Sequence, residues 1–308
     1  MRVDIVIPNY NGSHLIEKNL AAVIKSMEGY SGKIIIVDDG SGSEDKEKLR
    51  QFLKGKDGIL LIEHAANKGF SSAVNTGVKA ANGDYVALLY SDVSPSGHFL
   101  FSALQKLEND PNLFAVGCMD ESIEGDKKVL RGRGIAVWKK GMLHHMRGEV
   151  DKTDTFWVSG GSSVFRRSIY KQLGGMDEIY NPFYWEDIDL SYRAQKAGYK
   201  IFFDKRCIVK HMHDEGSIKT FFAKNTITST AYRNQFIFIW KNITNYYFLV
   251  NHFLFLPINC YGALRRGDRN FFDGLFLAVR QLPAIIVRRR RQKRFYKISD
   301  PEIINHIS

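Results

Sequence analysis

Arg2-Val3-Asp4-Ile5-Val6-Ile7-Pro8-Asn9-Tyr10-Asn11-Gly12 is the stretch that decides the fold class. Its first six residues alternate and then run apolar, as a strand buried in a parallel sheet does. Pro8 to Gly12 then breaks the strand with loop-forming residues. The same unit recurs downstream. Ile16, Leu20, Val23, Ile24 and Met27 put one apolar face on a helix from about Ser13. Residues 33–37 read as a second strand, which ends in Asp38-Asp39-Gly40-Ser41-Gly42-Ser43. A charged helix near 44–53 leads to a third strand at 59–63. Asn67-Lys68-Gly69-Phe70 opens another helix, with Ala73, Val74, Gly77, Val78 and Ala81 on its buried side, and a fourth strand at 85–90 ends at Ser91-Asp92-Val93.

This alternation predicts an α/β fold, a doubly wound and mostly parallel sheet with right-handed crossovers and helices on both faces. Such sheets bind ligands beyond the carboxyl ends of their strands. Three successive strand ends carry polar or acidic clusters, Pro8-Asn9-Tyr10, Asp38-Asp39 and Ser91-Asp92, so all three are expected on one edge. No Gly-x-Gly-x-x-Gly follows the first strand and no Gly-Lys-Ser/Thr loop occurs, which disfavours a dinucleotide oxidoreductase and a P-loop NTPase.

Beyond Ser102 the pattern is mixed. Strands are expected at 114–118 and 135–138, separated by a charged loop at 120–133. Residues 156–166 read as a strand with a break at Gly160-Gly161, where a backbone or ligand comes close, and a helix then runs to Leu173. Two more short strands are expected at 199–203 and 207–211. Between that helix and these strands lies Asn181-Pro182-Phe183-Tyr184-Trp185-Glu186-Asp187-Ile188-Asp189-Leu190-Ser191-Tyr192-Arg193, with three carboxylates in four residues. Ile188, Leu190 and Tyr192 can anchor a short helix whose first turn carries Glu186 and Asp187, where the helix dipole favours acids. An ordinary acidic helix start and a carboxylate base beside an aromatic wall are both compatible with the stretch alone.

The 308 residues carry a formal net charge of +11, unevenly placed. Residues 1–217 hold 29 Lys+Arg against 29 Asp+Glu, whereas residues 218–308 hold 15 against 4 and 17 of the 39 aromatics. The asymmetry marks a boundary near Ser217 and points to an anionic partner for the second part. Cys118, Cys207 and Cys260 are sparse and far apart in sequence, which argues against a disulfide framework. The N-terminus runs straight into a strand, so no secretory signal is expected.

Together, these motifs resemble the family-2 inverting nucleotide-sugar glycosyltransferases of GT-A fold, and among them the rhamnosyltransferase-like bacterial enzymes of surface polysaccharide synthesis. The resemblance rests on Ile5 to Gly12, Val37-Asp38-Asp39-Gly40-Ser41, Asn67-Lys68-Gly69-Phe70 with Asn75-x-Gly77, and Ser91-Asp92. It continues through residues 160–167, Gly174-Gly175-Met176-Asp177-Glu178, Trp185-Glu186-Asp187-Ile188-Asp189-Leu190 and Val209-Lys210-His211. It covers roughly residues 3–217 and implies a catalytic domain there, a nucleotide-sugar half to about 105 and an acceptor half from 106.

The resemblance also implies roles. Asp38 and Asp39 would hold the base and ribose of the donor, with Pro8, Asn9, Tyr10, Asn67, Gly69 and Ser91 around them. Asp92 would bind Mg²⁺ or Mn²⁺ against the donor diphosphate, with His211 completing the site, although His213 stands close by. Tyr90 occupies the first position of the family's Asp-x-Asp element, so one carboxylate is missing. Asp187 would be the general base, assisted by Glu186, with Asp189 structural. Gly160 and Gly161 would face the acceptor, and Trp185 would either stack on its sugar ring or lie in the core. The implied reaction moves a sugar from a dTDP- or UDP-linked donor, rhamnose being one choice, to a lipid-linked or growing glycan. A non-catalytic nucleotide-binding scaffold in a polysaccharide assembly complex is the competing reading. A sugar nucleotidyltransferase would want a Gly-rich phosphate loop after the first strand.

In the tail, residues 246–257 are apolar but interrupted by Asn251 and His252, and 271–287 carry Asp273, Arg280 and Pro283. Both read as interfacial rather than spanning. Six of the seven residues 288–294 are basic. Amphipathic aromatic helices beside a polybasic run favour an anionic membrane surface over nucleic acid, and with it a peripheral place on the cytoplasmic face of the plasma membrane.

Overall fold

The computed structural model describes residues 1–124, 127–211 and 220–305. The boundary expected near Ser217 and the alternative ligand His213 lie outside these residues.

The first half winds as expected. Strands β1 (Val3–Asn9), β2 (Ile34–Asp38), β3 (Ile59–Glu63) and β4 (Tyr85–Leu89) alternate with helices α1 (Ser13–Ser26), α2 (Ser43–Leu53) and α3 (Phe70–Ala80). Strand β1 pairs parallel with β2 and β4, and β2 with β3. The period of two sorts the strand residues onto two faces. Val3, Ile5 and Ile7 pack with Ile16, Leu20 and Val23 of α1, while Val6, Ile35 and Val37 pack with Ala73, Val74 and Val78 of α3. Asp4, polar within this strand, is nonetheless fully buried. Its carboxylate accepts from the amides of Lys33, Asn82 and Gly83, so its charge is satisfied by loop backbone.

The second half adds β5 (Val93–Pro95), α4 (Phe99–Asn109), β6 (Leu113–Glu124), β7 (Lys127–Arg131), β10 (Ser162–Arg166), α5 (Arg167–Gln172), α6 (Glu186–Lys196) and β11 (Lys200–His211). Among the described residues the main sheet runs β3-β2-β1-β4-β10-β6-β11-β5, with β7 paired to β6. Its β10 pairings with β4 and β6 are antiparallel, whereas β6 and β11 are parallel.

Three local expectations are corrected. The charged stretch at 120–133 is largely strand, because β6 continues to Glu124 and pairs antiparallel with β7. Residues 156–161 are not a strand; Gly161 has to pass the Tyr90 ring, which would lie 1.8 Å from a Cβ there. The two short strands expected at 199–203 and 207–211 are one strand, β11, with a register shift between Asp204 and Ile208. That shift sets Cys207 beside Cys118 of β6, their sulfurs 2.6 Å apart as buried free thiols.

A hairpin, β8 (Gly134–Lys139) and β9 (Met142–Arg147), stands apart from the main sheet. Onto it pack five helices, α7 (Lys224–Asn242), α8 (Tyr246–Arg265), α9 (Arg269–Arg280), α10 (Leu282–Lys293) and α11 (Asp300–Ile304). One apolar cluster joins Leu143 of the hairpin, Trp185, Ile188 and Tyr192 around α6, and Phe236, Phe238, Phe271, Ile285 and Ile304 of these helices. The C-terminal helices therefore share a core with the element that carries the acidic stretch.

Candidate active site

Parallel pairing brings the ends of β1, β2 and β4 to one edge, and a cavity of about 320 Å³ opens there. Its wall includes Pro8, Asn9, Tyr10, Asp39, Asn67, Gly69, Ser91, Asp92, Glu186 and His211. The sequence anticipated all of these.

Asp38 lies behind that wall, fully buried. It accepts from Asn9 Nδ2 at 3.1 Å, from Ser41 Oγ at 2.5 Å and from the Ser41 amide at 3.1 Å. Of the two aspartates expected to hold the donor, only Asp39 lines the cavity, and Asp38 braces the loop that presents it. Asp39 accepts from the amides of Lys68 and Gly69 at 3.0 and 2.8 Å and lies 2.6 Å from His64 Nδ1. Gly69 has φ +92°, and a Cβ there would sit 2.5 Å from Asn181, so only glycine closes this corner.

At the end of β4, Asp92 Oδ2 faces His211 Nε2 at 3.2 Å, and His211 Nδ1 faces Asp120 Oδ2 at 3.0 Å. Burial opposes charge on this imidazole, but the hydrogen bonds to Asp120 and Asp92 outweigh it and raise the pKa to about 9. Asp120, at the far end of β6, was hidden in the sequence because its pairing with His211 arises only from the β6–β11 register. No group of three or more His, Cys, Asp or Glu side chains arranged to hold a metal occurs among the described residues. Asp92 and His211 offer a carboxylate oxygen and an imidazole nitrogen, donor types suited to Mg²⁺ or Mn²⁺, and would be the residues to hold such an ion. An ion there would replace the proton on Nε2, and Asp120 would hold the imidazole in place.

The acidic stretch begins with two residues in left-handed backbone, Tyr184 at φ +72° and Trp185 at φ +76°. Non-glycine residues rarely adopt this region, and here the turn is clamped from α7. Asn234, fully buried, donates Nδ2 to the carbonyls of Tyr180, Phe183 and Tyr184 at 2.8–2.9 Å, and Arg233 donates to those of Tyr180 and Asn181. The turn drives Trp185 inward, only 4 % exposed against Phe238 and His145, so it is a core residue and not an acceptor platform. Tyr184, 38 % exposed and on the cavity wall with Phe70, Phe183 and Phe222, takes the position that the aromatic trio suggested for tryptophan.

Glu186 follows, buried, with Oε2 lacking a hydrogen-bond partner. Burial and the neighbouring Asp187 push its pKa well above the carboxylate range. Asp187 is half-buried and its pKa is also raised by burial, but it accepts from the Gly160 amide at 3.1 Å and the Ile188 amide at 2.7 Å. Of the pair, Asp187 has amide donors that favour its anion, whereas burial and the neighbouring Asp187 favour the protonated form of Glu186. Gly160 and Gly161 act through backbone: Gly160 orients Asp187, and the Gly161 carbonyl accepts from the Tyr90 amide at 3.0 Å. Neither glycine lines the cavity. Tyr90 itself lines the cavity, with its hydroxyl held neutral by burial and, next, by the charge of Asp187.

The model of glycosyl transferase family 2 matches residues 4–174. The chain belongs to this family. It is 30 % identical over 213 residues to the pre-mycofactocin glycosyltransferase of Mycobacterium tuberculosis, covering 68 % of this chain and 43 % of that protein. A poly-beta-1,6-N-acetyl-D-glucosamine synthase of Staphylococcus epidermidis is 25 % identical over 211 residues, covering 67 % of this chain and 48 % of that one. The family-2 chain therefore spans less than half the length of these curated relatives. Its fold is that of GalNAc-T7 with UDP, GalNAc and Mn²⁺ (TM-score 0.64, 18 % identity, 78 % of this chain and 48 % of that one). A mannosyltransferase from Pyrobaculum calidifontis in complex with GDP-Man and Mn²⁺ shares it over 91 % of this chain and 87 % of that one (TM-score 0.56, 16 % identity).

Proposed function

We propose that this chain is an inverting glycosyltransferase that moves a sugar from a nucleotide donor to a hydroxyl of a growing glycan, with Asp187 as the base. The observation that carries the reading is one cavity at the strand ends lined by Asp39, Asp92 and Glu186, with Asp187 next to Glu186 in the chain and set just behind that wall on the Gly160 amide. Asp39, braced by two amides and His64, is placed to meet the nucleoside. Asp92 and His211 lie at the diphosphate end and would hold Mg²⁺ or Mn²⁺, which supplies positive charge to the departing nucleoside diphosphate. Inversion needs a single displacement. The acceptor oxygen forms its bond to the anomeric carbon as the bond to the diphosphate oxygen breaks. The acceptor's proton passes to Asp187. A raised pKa makes that carboxylate a stronger base than a solvated one, and burial favours the protonated form of Glu186 beside it.

The staphylococcal relative is a poly-beta-1,6-N-acetyl-D-glucosamine synthase, which supports a glycan acceptor. A dTDP- or UDP-linked donor, rhamnose among the sugars, and a lipid-linked acceptor at the cytoplasmic face of the membrane complete the proposal. The test is thermal shift against nucleoside diphosphates and their sugars with Mg²⁺ or Mn²⁺, followed by nucleoside diphosphate release with the best donor. A bound donor raises the melting midpoint by mass action. Stabilisation by a nucleotide-sugar without turnover on any glycan acceptor would favour the non-catalytic scaffold, and no stabilisation by any would remove both readings.

A further inference from the structure

Helix α8 divides its residues sharply between two sides. Phe248, His252 and Ala263 are buried against the body. Polar groups on that side are spent on the hairpin and α7. Trp138 Nε1 donates to Asn251 and Asn259 Nδ2 to the Lys140 carbonyl, both at 2.9 Å, and His252 bridges Trp240 Nε1 and the Gly141 carbonyl. The opposite side carries Phe253, Leu254, Ile258, Tyr261 and Leu264, each 57–68 % exposed. Spacing of three and four residues makes this a continuous apolar stripe. Arg265 and Arg266 follow directly at its end, both exposed.

We infer that the α8 stripe is a docking face for an anionic lipid bilayer, on which the helix lies flat. The inference rests on the proposed lipid-linked acceptor for its purpose but on separate residues for its evidence. At 20 residues, α8 is the one described helix long and apolar enough to cross a membrane by itself. Its four side-chain hydrogen bonds to polar parts of the body hold it against the protein instead, which suits an interfacial helix. Charge selects the lipid. The whole +11 excess lies in residues 218–308. The polybasic run of α10 is divided by the fold: Arg288 turns to Asp177 at 2.8 Å and Arg289 to the Trp240 carbonyl at 2.9 Å, leaving Arg290, Arg291, Lys293 and Arg294 exposed. The surface is linked to the acidic stretch, since Trp138 stacks on Phe248 at 4.8 Å while His145 of the same hairpin meets Trp185 at 5.0 Å.

The experiment is co-sedimentation of the full chain with phosphatidylcholine vesicles, with and without phosphatidylglycerol. Three proteins are compared: wild type, a Phe253→Ser, Leu254→Ser, Ile258→Ser triple variant, and an Arg265→Gln, Arg266→Gln double variant. Wild type is expected to bind the anionic vesicles and to lose about tenfold or more in high salt. The triple variant should lose about tenfold or more at both salt concentrations, and the double variant only the salt-sensitive part. Undiminished binding by the triple variant would overturn the stripe, and equal binding of wild type to neutral and anionic vesicles would overturn the charge selection. No vesicle binding with tight salt-sensitive RNA binding, or a stable dimer that the triple variant dissociates, would assign the face to another partner. Donor-induced thermal shift without vesicles separates the two proposals: it should be the same in all three proteins, and its absence in all of them would count against sugar transfer and not against docking.

Discussion

Two kinds of carboxylate stand within four residues at the start of α6, and the fold treats them oppositely. Asp189 is fully buried among cations: Arg193 Nε and Lys241 Nζ each reach it at 2.7 Å, and Tyr180 and Asn242 donate to it as well. Burial alone would raise its pKa, but Lys241 and Arg193 reverse the direction and hold it below the ordinary range. Lys241 and Arg288 do the same for Asp177. Glu186 is buried and Asp187 half-buried, neither has a cation within ion-pair distance among the described residues, and both pKa values go up. Buried charge is tolerated where it is paired and becomes chemically useful where it is not. The helix thus carries its anchor, Asp189, and the proposed base, Asp187, two residues apart, about half a turn.

The comparison is most directly broken at its two poles. Asp187→Asn should lower turnover by about 10²–10⁴-fold, because the acceptor's proton loses its carrier, while the unfolding midpoint stays near wild type. Near-normal turnover in that variant would transfer the role to Glu186. Lys241→Met should do the reverse. It strands Asp177 and Asp189 in the core, and chemical denaturation should show a loss of about 3–5 kcal/mol. A loss below about 1 kcal/mol would mean that Arg193 and Arg288 suffice.

Acidification should separate the two sites in order. The groups facing Asp187 are Glu186, the Tyr90 hydroxyl and the amides of Gly160 and Ile188. With its pKa raised, Asp187 is protonated above the usual range near 3.9, so kcat should fall first as pH drops and recover on return. The stability from Asp177 and Asp189, whose folded pKa values are depressed, is complete above the unfolded value near 3.9 and is lost only as pH falls through the lower folded values. Parallel pH profiles of kcat and of the unfolding midpoint check this; coincident acid limbs would contradict the division. The smallest effect is expected at Glu186→Gln, a neutral isostere of the protonated acid, with turnover within about tenfold of wild type. A loss matching that of Asp187→Asn would show that Glu186 works as an anion.

Much of this was legible in one dimension because it is periodic or local. Alternation along β1 and the apolar faces of α1 and α3 announced the parallel half, and turn-forming residues marked the three strand ends that meet at the cavity. Short-range chemistry likewise announced the acidic helix start. The mixed half was harder to read: in β6, a strand passing beside charged residues looks like a loop until its partner β7 is known.

By itself, the sequence determined the winding of the sheet, the edge on which the polar strand ends gather and the acidic start of α6, since each follows from side-chain spacing along one element. Only the tertiary structure decided how similar neighbours divide their work. It set Asp38 behind Asp39, turned Trp185 into the core and Tyr184 to the cavity, gave His211 to both Asp92 and Asp120, and paired Asp189 while leaving Asp187 without a cation partner among the described residues. Each outcome depends on a group at least 25 residues away in the chain, brought up by strand register or by packing of α7. Local composition carries no information about such distant partners, and burial makes their presence or absence decisive for charge.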